Sequence, residues 1–111
     1  MYIYRCRILR AVDGDTVWAE VDLGVDVRHN LSLRLEGINA PEMGAPGGPE
    51  AKAHLESLVN GKTLFLRTVK DRREKYGRYR AILLYDPGDG DHASINQMMV
   101  EAGHAQSVDY R

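Results

Sequence analysis

The sequence predicts a mainly β domain of the α+β class, built as a small five-stranded barrel with two short helices. Five segments carry the alternation of apolar and polar residues that is typical of strands. Two further segments carry helix signals, and the order is three strands, helix, two strands, helix. One domain is expected over residues 1–111, because a chain of this length supports a single hydrophobic core.

The first two strands are predicted as a hairpin. The first covers Tyr2–Val12 and includes Cys6, the single cysteine, which is expected to be a buried thiol. Asp13-Gly14-Asp15 then predicts a tight turn, because Asp-Gly supplies the positive φ that such turns need. The second strand follows over Thr16–Asp22.

The third strand is predicted over Val27–Ile38 and leads into a proline-fixed turn. Leucines at every second position give it one apolar face, so Arg34 is expected to point away from that face. Pro41 fixes its own φ and biases Ala40 toward an extended conformation. Glu42 is therefore expected at a defined place just past the strand end. A guanidinium and a carboxylate on one rigid frame suggest an anion site with a base beside it.

Two helices and two more strands complete the prediction. A helix begins at Pro49 and ends at Asn60-Gly61, and strands follow over Thr63–Val69 and Tyr79–Tyr85. A capping box from Ser94 to Gln97 opens the second helix, whose predicted inward residues are Ile95, Met98, Met99 and Ala102. This order of elements suits an OB-type barrel, in which one face and its loops commonly bind oligonucleotides.

Composition and charge limit the functional classes. The net charge of −1 argues against a general electrostatic nucleic-acid binder. The segment from Arg67 to Arg80, however, contains seven basic residues and two acidic ones. It is interpreted either as a positive face that binds phosphates or as a solvated hairpin of mixed charge. The longest apolar runs are too short to span a bilayer, and the amino terminus lacks the apolar region of a signal peptide. We expect a cytoplasmic protein, or one with a phage-type role, without a membrane partner.

Two groups of residues are candidates for chemistry. Asp13, Asp15, Asn39 and Glu42 would converge if the first turn meets the end of the third strand, and such hard oxygen ligands suit Ca²⁺ or Mg²⁺. For the two aspartates, turn formation is the alternative. Arg34 and Arg78 form the second group, since a planar guanidinium fork matches phosphate oxygens. A surface arginine in a basic hairpin is the alternative for Arg78.

Taken together, four ordered motifs resemble those of the staphylococcal nuclease family. They are Asp-Gly-Asp-Thr-Val, Arg-Leu-x-Gly-Ile-x-Ala-Pro-Glu, Lys-Tyr-Gly-Arg and Ile-Asn-x-x-Met-Val-x-x-Gly-x-Ala, and they extend over about Ile8 to Gln106. The resemblance implies an OB-type barrel that hydrolyses phosphodiester bonds of DNA and RNA with Ca²⁺. It also implies a single nuclease-like domain, for which we expect a monomer.

The resemblance also implies residue roles. Asp15, Asn39 and the carbonyl of Ala40 would bind the metal. Arg34 would hold the reacting phosphate, Glu42 would act as general base or orient the water, and Arg78 would stabilise the transition state. Three further residues would contact the substrate: Lys75, Tyr76 and Tyr110.

Asn39 stands where the family usually has a second metal-binding aspartate. It keeps an oxygen donor but removes one negative charge, so weaker Ca²⁺ binding is expected. The leading hypothesis is a Ca²⁺-dependent endonuclease with a preference for single strands. The alternative is a weak or inactive nuclease-like domain that binds nucleic acid or protein. A third reading is an OB-type module that binds a protein or a sugar.

Overall fold

The computed structural model describes residues 3–73 and 79–108, with side chains described over 3–69 and 79–108. Lys75, Tyr76, Arg78 and Tyr110 lie outside these ranges. The strands within them are β1 (Ile3–Asp13), β2 (Thr16–Asp22), β3 (Arg28–Leu35), β4 (Ile38–Asn39), β5 (Thr63–Arg73), β6 (Tyr79–Leu84) and β7 (Gln106–Ser107). The helices are α1 (Gly48–Val59) and α2 (Ile95–Glu101), and a 3₁₀ turn over Asp91–Ala93 precedes α2.

Five strands close into a barrel in the order β1-β2-β3-β6-β5. All neighbours are antiparallel except β3 and β6, which run parallel with Arg34 opposite Arg80. β4 and β7 pair as a separate two-stranded sheet beside the barrel. The predicted α+β fold, with a five-stranded OB-type barrel and two helices, is therefore confirmed.

The third predicted strand is in fact two strands. β3 ends at Leu35, and Gly37 has a φ of 79°, a left-handed conformation that breaks the strand. Ile38 and Asn39 then leave the barrel and pair with Ser107 and Gln106. Alternating leucines predicted the strand correctly but gave no sign of this break. The other predicted strand and helix ends lie within a few residues of the observed ones.

The turn between β1 and β2 needs Gly14 for a different reason from the one predicted. Gly14 does not have a positive φ. Instead, a Cβ at this position would lie 2.6 Å from the Cβ of Ala51 and 2.8 Å from that of Ala40. The glycine is therefore required by close packing of the turn against α1 and the segment after β4.

The barrel interior is filled by apolar side chains, and both helices pack against it. Cys6 is buried as expected, and burial raises the pKa of its thiol to about 12. Among the predicted inward residues of α2, Ile95 and Met99 are fully buried and Met98 is partly buried, but Ala102 is exposed. In the described part of the chain, no helix is long and apolar enough to cross a membrane.

Only half of the predicted capping box forms at the start of α2. The Ser94 hydroxyl accepts a hydrogen bond from the Gln97 backbone N–H at 3.0 Å. The Ser94 backbone N–H donates instead to the carbonyl of Asp91 at 3.1 Å, as part of the 3₁₀ turn. The preceding 3₁₀ turn thus takes the place of the second bond of the box.

Candidate active site

The β1–β2 turn carries Asp15 into the protein rather than into solvent. Its side chain is buried, and both carboxylate oxygens have partners. Oδ1 accepts from the Thr16 hydroxyl at 3.0 Å, and Oδ2 accepts from the Ala40 backbone N–H at 2.9 Å. The backbone carbonyl of Asp15 also accepts from the Leu35 N–H at 2.8 Å. The turn is therefore fixed to the end of β3 and to the segment that follows β4.

Arg34 lies opposite Thr16 in the β2–β3 register, next to this turn. The side chain of Arg34 was predicted to point away from the leucine face of the strand. The outer side of the strand is nevertheless shielded from solvent at this position. Arg34 is 8% exposed, because the Asp15 turn and the segment from Gly37 to Ala40 cover it. The alternation in the sequence does not say what packs on the outer face of the strand, so the burial of Arg34 could not be predicted from it.

The guanidinium of Arg34 is held from several sides. Nη1 lies 3.2 Å from Oδ2 of Asp15 and donates to the Leu35 carbonyl at 3.2 Å. Nη2 donates to Oδ1 of Asn39 at 3.3 Å. The structure thus brings together four of the predicted site residues: Asp15, Arg34, Asn39 and Ala40. We refer to these four residues as the Arg34 cluster.

Glu42 and Asp13, two other predicted site residues, lie outside the Arg34 cluster. Glu42 is exposed on the loop after Pro41, and its carboxylate is not among the contacts that join the Arg34 cluster. Its backbone is nevertheless fixed, because its carbonyl accepts from the Ala45 N–H at 2.9 Å. Asp13 is half-buried at the end of β1, opposite Thr16, and it too is outside those contacts.

Gly48 allows the Glu42 loop to lie against the start of α1. A Cβ at Gly48 would come within 1.9 Å of the carbonyl oxygen of Glu42 and within 2.9 Å of the Met43 Cα. These are backbone atoms, so they could not give way by a side-chain rotation. The sequence signalled only a glycine-rich loop here, and it did not show that this glycine controls where Glu42 sits.

Asn96 is a second residue whose role sequence reasoning missed. It is buried on α2, and its amide accepts from the Leu83 N–H at 3.1 Å. It donates to the carbonyl of Glu36 at 2.8 Å and to that of Ala81 at 3.1 Å. Asn96 therefore joins α2 to the point where β3 and β6 run in parallel. A polar residue directly after Ile95 in an otherwise apolar helix face was the available signal.

A cleft opens beside Asn39 and Ala40 of the Arg34 cluster. It has a volume of about 310 Å³, and its lining includes Asn39, Ala40, His104 and Gln106. The His104 ring stacks on the ring of His54 with centroids 4.7 Å apart, which ties this wall to α1. Asn39 thus contacts Arg34 through its side chain and also borders this open cleft.

The oxygen donors of the Arg34 cluster are of the kind that Ca²⁺ prefers. One carboxylate, one amide oxygen and one backbone carbonyl are contributed by Asp15, Asn39 and Ala40, and hard oxygens of this type suit Ca²⁺. Among the side chains described, those of residues 3–69 and 79–108, no three histidine, cysteine, aspartate or glutamate groups gather into a metal-binding group. A metal held here would therefore depend on amide and carbonyl oxygens beside a single carboxylate.

The fold and the Arg34 cluster together define an OB-type barrel with an arginine–carboxylate site at one end. Comparison with known protein families identifies the family to which this barrel belongs. Residues 32–111 match the model of the family described as staphylococcal nuclease homologue. The chain belongs to this family, as its motifs led us to expect.

Several relatives carry nuclease names. The chain is 37% identical over 99 residues to an "Uncharacterized endonuclease" of Escherichia coli O157:H7, covering 89% of this chain and 58% of the relative. It is 29% identical over 111 residues to a "Micrococcal nuclease" of Shigella flexneri, covering 96% of this chain and 60% of that protein. An "Uncharacterized endonuclease" of Haemophilus influenzae is 30% identical over 100 residues, which cover 90% of this chain and 50% of that protein. The chain thus spans between half and three fifths of the length of these relatives, and a nuclease is supported at the level of the family.

Proposed function

We propose that this domain is an endonuclease that hydrolyses phosphodiester bonds of DNA and RNA, with Ca²⁺ as its metal and a preference for single strands. The observation that carries the proposal is the buried guanidinium of Arg34, held beside Asp15 and bonded to Asn39, a residue that also lines an open cleft. A guanidinium fork matches phosphate oxygens, and the carboxylate and amide oxygens beside it are of the type that Ca²⁺ takes as ligands.

Arg34 is suited to bind a phosphate that gains charge during the reaction. Its orientation is fixed before substrate arrives, because the Leu35 carbonyl and the Asp15 carboxylate already hold Nη1. A donor that needs no reorganisation stabilises developing negative charge more effectively than a mobile one. Binding of a phosphate would exchange the Nη2 bond to Asn39 for a bond to a charged oxygen.

Glu42 is the proposed general base. It lies on a loop whose backbone is fixed by Ala45 and Gly48, and its side chain is exposed to the water that it would activate. Arg78 is proposed to stabilise the leaving oxygen. Lys75, Tyr76 and Tyr110 are proposed to contact neighbouring phosphates and bases.

Asp15, Asn39 and the Ala40 carbonyl are the residues that would hold Ca²⁺. Bound there, the ion would supply positive charge to polarise the phosphoryl group. The donor set has the right chemistry but only one negative charge, and that charge is already paired with Arg34. We therefore propose weak Ca²⁺ affinity.

A binding module is the second candidate function. The observation in its favour is the same Asn39, because loss of the second carboxylate weakens the metal site more than it weakens a phosphate-binding arginine. Such a module would bind nucleic acid in a salt-sensitive manner and would not cleave it at any Ca²⁺ concentration.

Degradation of a single-stranded oligonucleotide with Ca²⁺, with EDTA and with Glu42→Gln tests the proposal. We expect cleavage that requires Ca²⁺, is lost in Glu42→Gln and is unchanged in Glu50→Gln, a matched control at an exposed glutamate of α1. Asn39→Asp is expected to lower the Ca²⁺ concentration needed for half-maximal activity. Equal cleavage in EDTA or by Glu42→Gln would refute the mechanism, and binding without cleavage would favour the module.

A further inference from the structure

Apolar side chains are concentrated at the end of the barrel that lies away from the Asp15 turn. Among the described residues, seven large apolar side chains are exposed, and four of them lie at this end: Ile3, Leu23, Val25 and Val27. The β2–β3 pair sets the distance between the two ends, since Thr16 faces Arg34 at one end and Asp22 faces Arg28 at the other. At strand spacing the ends are about 20 Å apart.

The turn between β2 and β3, residues 23–27, projects from this end, and we refer to it as the hairpin tip. Gly24, Val25 and Asp26 follow one another with φ values of 83°, 53° and 61°. Two backbone bonds close the turn, from the Leu23 N–H to the Val27 carbonyl at 2.8 Å and from the Val27 N–H to the Gly24 carbonyl at 2.9 Å. The Asp22 carboxylate also accepts from the Gly24 N–H at 2.8 Å.

Val25 is an unfavourable choice at this position for the isolated chain. A β-branched residue with a positive φ is rare, because its side chain clashes with the backbone there, and glycine or asparagine would avoid the clash. Val25 is also 95% exposed, so it gains no stabilising burial when the chain folds. The strain at Val25 is therefore not offset by packing within the described chain, and an exposed apolar projection of this kind suits a contact with a partner.

An apolar cavity lies next to the hairpin tip at the same barrel end. It has a volume of about 380 Å³, and we refer to it as the barrel mouth. Its walls are mostly leucine and tyrosine side chains, including Tyr4, Leu31, Leu66 and Tyr79. Leu23 belongs to both the tip and the mouth. A projecting apolar group and an apolar hollow therefore lie side by side on one surface.

We propose that this surface is a self-association interface, in which the hairpin tip of each copy inserts into the barrel mouth of a second copy. A projection and a hollow on one patch are what a two-fold symmetric contact requires, since the same patch must complement itself. The charges around the tip are mixed, with Asp22 and Asp26 near Arg28 and Arg5, while the exposed side chains of the patch are apolar, which suits a protein surface better than a phosphate backbone. The proposal departs from the expected monomer and does not depend on nuclease activity.

Sedimentation equilibrium of the chain over a wide concentration series tests this interface. We expect a monomer–dimer equilibrium in the parent, with the dissociation constant raised at least about tenfold by Val25→Asp and by Val25→Asn. Asparagine tolerates a positive φ, so Val25→Asn is expected to keep or raise the melting temperature, which separates lost association from lost folding. Met43→Gln changes an exposed apolar residue elsewhere and is expected to leave the dissociation constant unchanged.

Three results would overturn the proposal. The first is a parent chain that remains monomeric over the whole series. The second is undiminished association of both Val25 variants. The third is an affinity for a single-stranded oligonucleotide that falls in Val25→Asp, because that result would assign the hairpin tip to nucleic acid.

Discussion

Arg34 and Asp15 form a buried ion pair in which Nη1 lies 3.2 Å from Oδ2, with about nine tenths of each side chain removed from solvent. The pair links the end of β3 to the β1–β2 turn. Asp15 also accepts hydrogen bonds from Thr16 and Ala40, so its charge is well satisfied. The same contacts that stabilise the turn therefore fix the guanidinium to which we assign phosphate binding.

Removal of one partner of this pair is predicted to be costly. Arg34→Met leaves the Asp15 carboxylate buried without its cation, and we expect the free energy of unfolding to fall by about 3 kcal/mol. Combining it with Asp15→Asn should recover part of the loss, because the uncompensated charge is then gone. Urea unfolding of the two single variants and the double variant measures the coupling. Simple additivity of the two losses would show that the pair does not interact as described.

Asn96 is predicted to be one of the polar residues on which the fold depends. Asn96→Ala removes hydrogen bonds to Leu83, Glu36 and Ala81 in the protein interior, and we expect a loss of about 3 kcal/mol. Asn30→Ala, at an exposed position of β3, serves as the control and should change stability by less than about 0.5 kcal/mol. Similar melting temperatures for the two variants would contradict the assigned role.

Much of the fold could be predicted from the sequence, because it depends on local patterns. Neighbouring residues determine the strand alternation, the end of the first helix at Asn60-Gly61 and the cap of the second helix at Ser94. The barrel-end contacts could not be predicted in this way. Burial of Arg34, the inward amide of Asn96 and the close approach at Gly48 arise where segments distant in sequence meet. Periodicity reports which face a residue is on, and it does not report what covers that face.

The candidate site shows the same division. Its residues were found through ordered motifs, and the structure brings Asp15, Arg34, Asn39 and Ala40 into one cluster. The catalytic, metal-binding and substrate-binding roles given to the site residues all stay predictions, and four of those residues lie outside the described ranges: Lys75, Tyr76, Arg78 and Tyr110. Val25 offered no sequence signal, because a valine between two strands looks ordinary until its φ is known.

Gly48 is predicted to control activity through the position of Glu42. Gly48→Ala would place a Cβ against the Glu42 carbonyl, so the loop must shift. We expect stability to fall by about 1–3 kcal/mol and kcat to fall by at least about tenfold. Gly44→Ala is the control, since a Cβ at Gly44 meets nothing within 4 Å. Equal kcat values for the two variants would show that Gly48 has no part in placing the base.

Cys6 is predicted to make stability fall at alkaline pH. Burial raises its pKa from 9.0 to about 12, so above pH 9 the unfolded chain loses the thiol proton while the folded chain keeps it. Its stabilising contribution is therefore complete below pH 9 and decreases as the pH rises, by about 1.4 kcal/mol per pH unit between the two values. Unfolding free energies at pH 8 to 10 should decline less steeply in Cys6→Ala. Parallel declines would contradict the assignment.

The most direct test of the proposed nuclease site is the rate of oligonucleotide cleavage by Arg34→Lys. Lysine keeps the charge but loses the planar fork, so kcat/KM should fall by about 10²–10³ while the protein stays folded. Arg28→Lys, at an exposed position of the same strand, should cleave at the parent rate. Full activity in folded Arg34→Lys would contradict the assignment of the reacting phosphate to this guanidinium.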